Sequence, residues 1–147
     1  MYEEILLNKS ATVEWCVRRA YEEYEKASAA FHASVTHQDA AILNIQRACG
    51  AVLEIAKYLQ HREFPEAKQP TVDALALLSN SGHVEPSILT SLKVTLSFCD
   101  AAIRNCEGLE PRALEEIIIQ HLHALVKCKN EMMKLNAKYQ SQPLSLS

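Results

Sequence analysis

The stretch QDAAILNIQRACGAVLEIAKYL, from Gln38 to Leu59, decides the fold class. Its apolar residues Ile42, Ile45, Cys49, Val52, Leu53, Ala56 and Leu59 recur close to every 3.6 residues, the period of a helix with one buried side. The helix is expected from about Gln38 to His61. The polar run Ser34 to Asp39 reads as a junction before it, in which Thr36 or Asp39 is placed to cap. Gly50 interrupts the pattern at a helix-interior cost of about 1 kcal/mol relative to alanine. Close approach of another helix is the expected reason.

Working outward, Glu3 to Phe31 reads as a first helix, with Leu6, Val13, Val17 and Ala20 on its buried stripe and Trp15, Tyr21 and Tyr24 nearby. Glu14 and Arg18 are spaced for an outer i,i+4 ion pair. Downstream, Arg62 to Pro70 is polar, contains two prolines and is expected to be a surface loop. A short helix follows from Thr71 to Ser79, with Thr71 as cap, Val72, Leu75 and Leu78 inward, and Gly82 as its stop. Glu85-Pro86 opens a fourth helix, whose Ile88, Leu89, Leu92, Leu96 and Ile103 mark the buried side. Glu110-Pro111 opens a fifth, with Leu114, Ile117, Ile118, Leu122, Leu125 and Val126 inward. Lys127, Lys129 and Lys134 in its last turns suit the negative end of the helix dipole. The expected architecture is one all-α domain over residues 1–139, an antiparallel bundle of about five helices, with a flexible tail over 140–147.

Composition narrows the function classes. Three glycines and five prolines in 147 residues are too few turn formers for a sandwich or barrel of short strands. A chain 48% hydrophobic and 22% charged is not disordered throughout. The net charge of −3 provides no basic field for DNA, and any RNA contact would be local. MYEEILLNKS lacks the features of an export signal, and no apolar run approaches the roughly 20 residues of a membrane span. Five scattered cysteines without a CxxC spacing point to a reducing cytoplasm. On one continuous helix Cys99 and Cys106 would stand about 10.5 Å apart, too far for a disulfide.

The usual chemical constellations are missing. No GxGxxG, P-loop or HExxH is present, and neither a cofactor nor a metal is expected. His121 and His123, two apart on a helix, face different ways; His32 and His37 are expected to be exposed loop residues. Asp39 and Asp73 have no spacing that would join them. Cys16, Cys49 and Cys128 fall on helical patterns and should pack as small hydrophobes. One stretch stands out: FCDAAIRNCEGLEP, from Phe98 to Pro111, crowds Cys99, Asp100, Arg104, Asn105 and Cys106 at a helix end, with Arg104 expected near Glu107 and Glu110. It contains no histidine to generate a thiolate nucleophile.

Read together, these segments resemble the HepT-like branch of the HEPN domains, small helical ribonuclease toxins paired with an MNT-type nucleotidyltransferase antitoxin. The resemblance runs from about Asn8 to Met133. Gln38 to Leu59 is similar to the family's second long helix. DALALLSNSGHVEPSILTSLK, from Asp73 to Lys93, is similar to its third helix, turn and fourth-helix start. The family's signature, Arg, four residues, His, one residue, Tyr, should follow Phe98; here Cys99, Arg104 and Cys106 occupy its three positions.

The resemblance implies a homodimer whose two motifs meet, and metal-independent cleavage of RNA. In that chemistry the histidine handles the ribose 2′-hydroxyl proton and the arginine steadies the phosphate, while the antitoxin silences the toxin by adding AMP to the tyrosine. An arginine at the histidine position stays protonated and cannot accept a proton, and a cysteine cannot grip phosphate as a guanidinium does. Loss of a general base typically costs about 10²–10⁴-fold. The expectation is therefore a weakly active or inactive relative that acts through its nucleotidyltransferase partner. Two alternatives stay open: an active ribonuclease recruiting Asn44, Arg47 or His61 on the second helix, and a helical interaction module without catalysis.

Overall fold

A computed structural model describes residues 2–65 and 74–141 of the chain. Helix α1 spans Tyr2–Ala27 and buries Leu6, Val13, Cys16, Val17 and Ala20. It stops four residues short of the expected end at Phe31. Ser28 adopts a left-handed φ of 50°, and a 3₁₀ turn over Ser28–Ala33 carries Phe31 into the core. There the Phe31 ring meets Tyr24 edge-on, with centroids 4.9 Å apart. No glycine or proline announces this break; the burial of Phe31 does.

Helix α2, Val35–Glu63, begins earlier than expected. Its cap is Ser34, whose Oγ accepts a hydrogen bond from the His37 N–H at 3.4 Å. Thr36 and Asp39 therefore lie inside the first turns of a helix and cap nothing. Arg62 and Glu63, expected in the loop, form its last turn. The remainder of that loop and the expected cap at Thr71 lie outside the described residues. Helix α3, Ala74–Asn80, ends as expected at Gly82, whose φ is 83°. The Gly82 N–H bonds the Ser79 carbonyl and the His83 N–H bonds the Leu78 carbonyl, the paired closure of a Schellman end.

Helix α4, Pro86–Arg104, buries Ile88, Leu92, Thr95, Cys99 and Ala102, one residue every three or four positions. Leu89 and Leu96 flank this stripe, half-buried. Ile103, expected inward, sits beside the stripe in the last turn and is 72% exposed. The last rod is three segments end to end: α5 (Pro111–Glu116), a π turn (Ile117–His121) and α6 (His123–Ser141). In the π turn the Leu122 N–H reaches back five residues to the Ile117 carbonyl at 2.9 Å. The extra residue lets Ile117, Ile118 and Leu122 all point inward. The helix carries on into the segment expected as a tail, and 142–147 lie outside the described residues. The described residues form no strand.

Helix α2 is the axis of the bundle. Eleven of its 29 residues are buried, over about half its circumference, and it packs against α1, α3, α4, α5 and α6. Lys129 departs from the expected surface role. It lies mid-helix on α6, buried, with Nζ 2.9 Å from Glu14 Oε1 and 2.7 Å from Asn130 Oδ1. Glu14 thus ties α1 to α6 across the bundle in place of the expected pairing with Arg18.

Gly50 also corrects expectation. It is exposed, and a methyl group placed on it would have nothing within 4 Å, so no helix approaches it. Gly50→Ala should therefore stabilise the chain by about 0.5–1 kcal/mol, the helix-propensity difference, read as a raised urea midpoint at unchanged slope. Gly82→Ala, at a positive φ, should destabilise it by a similar amount. A lowered midpoint for Gly50→Ala would mean that the glycine serves a contact.

Candidate functional site

Of the three positions expected to carry the signature, Cys99 and Arg104 lie on α4, and the structure turns them to different sides. Cys99 belongs to the buried stripe: it is 7% exposed, and its Sγ lies 3.9 Å from the Sγ of Cys49 on α2. Either S–H can donate in this contact; hydrogen bonding with Cys49 lowers the Cys99 thiol, against burial and the nearby Asp100 charge. Cys49 itself is pushed far up by that same bond and by burial. Arg104 faces the other way. Its side chain is 75% exposed and its Nη2 donates to Asp100 Oδ2 at 2.9 Å, one turn back along the helix. Among the described residues Arg104 forms its ion pair with Asp100 and none with Glu107 or Glu110.

Asn105 then ends the helix. Its N–H bonds the Ala101 carbonyl, and its Oδ1 accepts from the Gly108 N–H at 3.2 Å. A Cβ on Gly108 would stand 2.6 Å from Asn105 Nδ2, so this cap needs glycine at 108. The backbone turns into a 3₁₀ segment, Cys106–Gly108. Cys99 and Cys106 are thus not on one continuous helix, and the Cys106 side chain lies outside the described residues. What the helix end offers chemically is one exposed guanidinium shared with a carboxylate. No imidazole belongs to it.

The alternative set on α2 does not converge within a protomer. Asn44 is buried, with Nδ2 donating to the carbonyl of Ala40 at 2.8 Å. Arg47 and His61 are exposed but 14 residues apart, about 21 Å of helix. His121 Nδ1 lies 3.1 Å from Ser91 Oγ, and His123 is exposed. Among the described residues no three His, Cys, Asp or Glu side chains are grouped to hold a metal ion. Among them, too, no helix is long and apolar enough to cross a membrane.

Sequence reasoning missed one polar cluster. Tyr24 Oη donates to Glu115 Oε2 at 2.6 Å, and His32 Nε2 lies 3.0 Å from Glu115 Oε1. The three residues come from α1, the 3₁₀ turn and α5, separated by 83 and 91 positions, so no local spacing could reveal them. Nor are the two flanking histidines loop residues: His32 is fixed to Glu115, and His37 bonds Ser34 Oγ in the first turn of α2. Hydrogen bonds from Tyr24 and then His32 hold the Glu115 carboxyl below its ordinary value, and the same contact raises the Tyr24 phenol.

No family model matches the chain. The mRNA nuclease HepT of Shewanella oneidensis is 27% identical over 119 residues, spanning 81% of this chain and 89% of that protein. A tri-AMPylated HEPN toxin from the same organism, solved in complex with an MNT antitoxin, superposes with a TM-score of 0.79 at 25% identity. That match covers 88% of this chain and 97% of the toxin. A toxin–antitoxin solved with AMP-PNP contributes a chain with a TM-score of 0.78, also at 25% identity, covering 87% of this chain and 97% of its own. The chain resembles HepT and has the HEPN fold. At the end of α4 this chain holds a core thiol, Cys99, and an ion-paired surface arginine, Arg104.

The lowered Glu115 carboxyl makes the cluster acid-sensitive in a defined direction. A depressed carboxyl contributes stability that is complete above its unfolded value of 4.5 and fades as pH falls through the folded one. The melting-temperature difference between wild type and Glu115→Gln should be constant near neutral pH and shrink toward zero on acidification below that value. A difference that grows in acid would refute the assignment.

Proposed function

We propose that this chain is the HEPN half of a toxin–antitoxin pair, that its partner is an MNT-type nucleotidyltransferase, and that its own RNA cleavage is weak or absent. It acts as a homodimer in the cytoplasm and meets RNA, if at all, through Arg104. The single observation that carries the reading is the state of the α4 end. The group at the histidine position is a guanidinium, ion-paired to Asp100, and the group at the arginine position is a thiol held in the core beside Cys49. Transfer of a proton from a ribose 2′-hydroxyl needs a base that titrates near neutrality, and this helix end has none. Similarity to HepT and to HEPN toxins solved with MNT antitoxins supports the partner.

The absence of a phenol at 106 bears on control as well. A nucleotidyltransferase that adds AMP to a tyrosine hydroxyl would find a thiol at this position. In this reading the partnership rests on binding between the two proteins, without AMP transfer to that site.

The test is co-expression with an MNT-type nucleotidyltransferase encoded beside this chain, followed by purification on a tag carried by one protein only. A stable complex is expected; two proteins that elute apart would overturn the pairing. Purified alone, with chelator present, the chain should cut RNA at no more than about 10⁻² of the rate of a triple variant Cys99→Arg, Arg104→His, Cys106→Tyr, which restores the signature. Circular dichroism must first show the variant folded, because an arginine at 99 has to displace the Cys49 contact. Brisk cleavage by wild type, or none by a folded variant, would count against the motif as the cause.

A further inference from the structure

Cys49 and Cys99 are unlike the other described cysteines. Cys16 and Cys128 pack singly, burial raising the first and pushing the second up to about 12. Cys49 and Cys99, 50 residues apart in sequence, are brought from two helices into direct thiol–thiol contact at 3.9 Å. A disulfide requires about 2.05 Å, so the sulfurs must close by about 1.9 Å. Closure requires side-chain rotation and a slight approach of α2 and α4.

We propose that Cys49 and Cys99 are a reversible oxidation site that closes to an intramolecular disulfide and ties α4 to α2. The oxidant is a hydroperoxide, the smallest being little larger than water and able to reach a thiol that is 7% exposed. The Cys99 thiolate attacks the peroxide oxygen, the O–O bond breaks, and Cys99 becomes a sulfenic acid as hydroxide leaves. The Cys49 sulfur then attacks the sulfenic sulfur, its proton joins the departing hydroxyl as water, and the S–S bond forms. Overall two thiols and one hydrogen peroxide give one disulfide and two waters, the thiols losing two electrons and the peroxide gaining them. A dithiol reverses the step by exchange. The order of attack follows access, since Cys99 is 7% exposed and Cys49 3%.

The bond would close a 50-residue loop that includes α3 and most of α4, and would fix the helix that presents Arg104. Transient disulfides of this kind are the sort compatible with a reducing compartment. The inference is independent of whether the chain cuts RNA or binds a nucleotidyltransferase.

The full chain, reduced and freed of reductant, is treated with hydrogen peroxide and then with a thiol-blocking reagent under denaturing conditions. Mass spectrometry of the intact chain should show loss of two hydrogens, two fewer blocked thiols, and a non-reducing peptide map joining the Cys49 peptide to the Cys99 peptide. Dithiothreitol should restore all five thiols. The oxidised chain should melt about 5–10 °C higher, as expected for a cross-link closing a loop of this length. Cys49→Ala should leave Cys99 as a sulfenic acid that dimedone traps; the wild-type map stands alone if that variant fails to fold. Five blockable thiols after peroxide, or a disulfide that maps to any other pair, would overturn the proposal.

Discussion

Everything in this bundle depends on the burial of one helix. Helix α2 is covered over half its circumference, and the residues that cover it come from nearly every other element. Its buried side mixes large residues (Ile45, Ile55, Leu59) with small ones (Ala41, Ala48, Ala51, Ala56), which lets neighbouring helices approach closely along one line. A helix so placed cannot be stable alone, and its neighbours bury their own apolar sides against it. Hydrophobic burial, worth about 25 cal/mol per Å² of apolar surface removed from water, is the force that joins them.

Polar contacts set the register of this packing more than its strength. Lys129 reaches Glu14 from a buried position on α6, and Glu115 gathers Tyr24 and His32 onto α5. Arg62 donates to Asn136 Oδ1 at 2.6 Å, and the Asn136 amide in turn reaches Glu3. Among the described residues no buried side-chain nitrogen or oxygen lacks a partner. Each bond joins residues far apart in sequence, so each distinguishes the native arrangement from a slipped one.

The functional consequence arises at the end of α4. The helix stripe that includes Ile88, Leu92 and Thr95 assigns position 99 to the core, where a thiol fits beside Cys49. Five residues later Arg104 falls outside, ion-paired to Asp100. A cysteine at 99 suits packing, and an arginine at 104 suits a helix C-terminus, where positive charge is favoured.

The sequence by itself determined that the chain is helical, where most helices lie, and which residues form most of the core of each. These were legible because hydrophobic period, proline starts and a glycine stop are local: Pro86, Pro111 and Gly82 punctuate the chain just as expected. Only the tertiary structure decided the break at Ser28, the π turn at Ile117–His121, the exposure of Gly50 and Ile103, the inward turn of Lys129, and the meeting of Cys49 with Cys99. Each of these depends on which surfaces other helices cover. A one-dimensional pattern gives the direction of a side chain about its own axis, but what stands opposite is set by the packing of all the elements together.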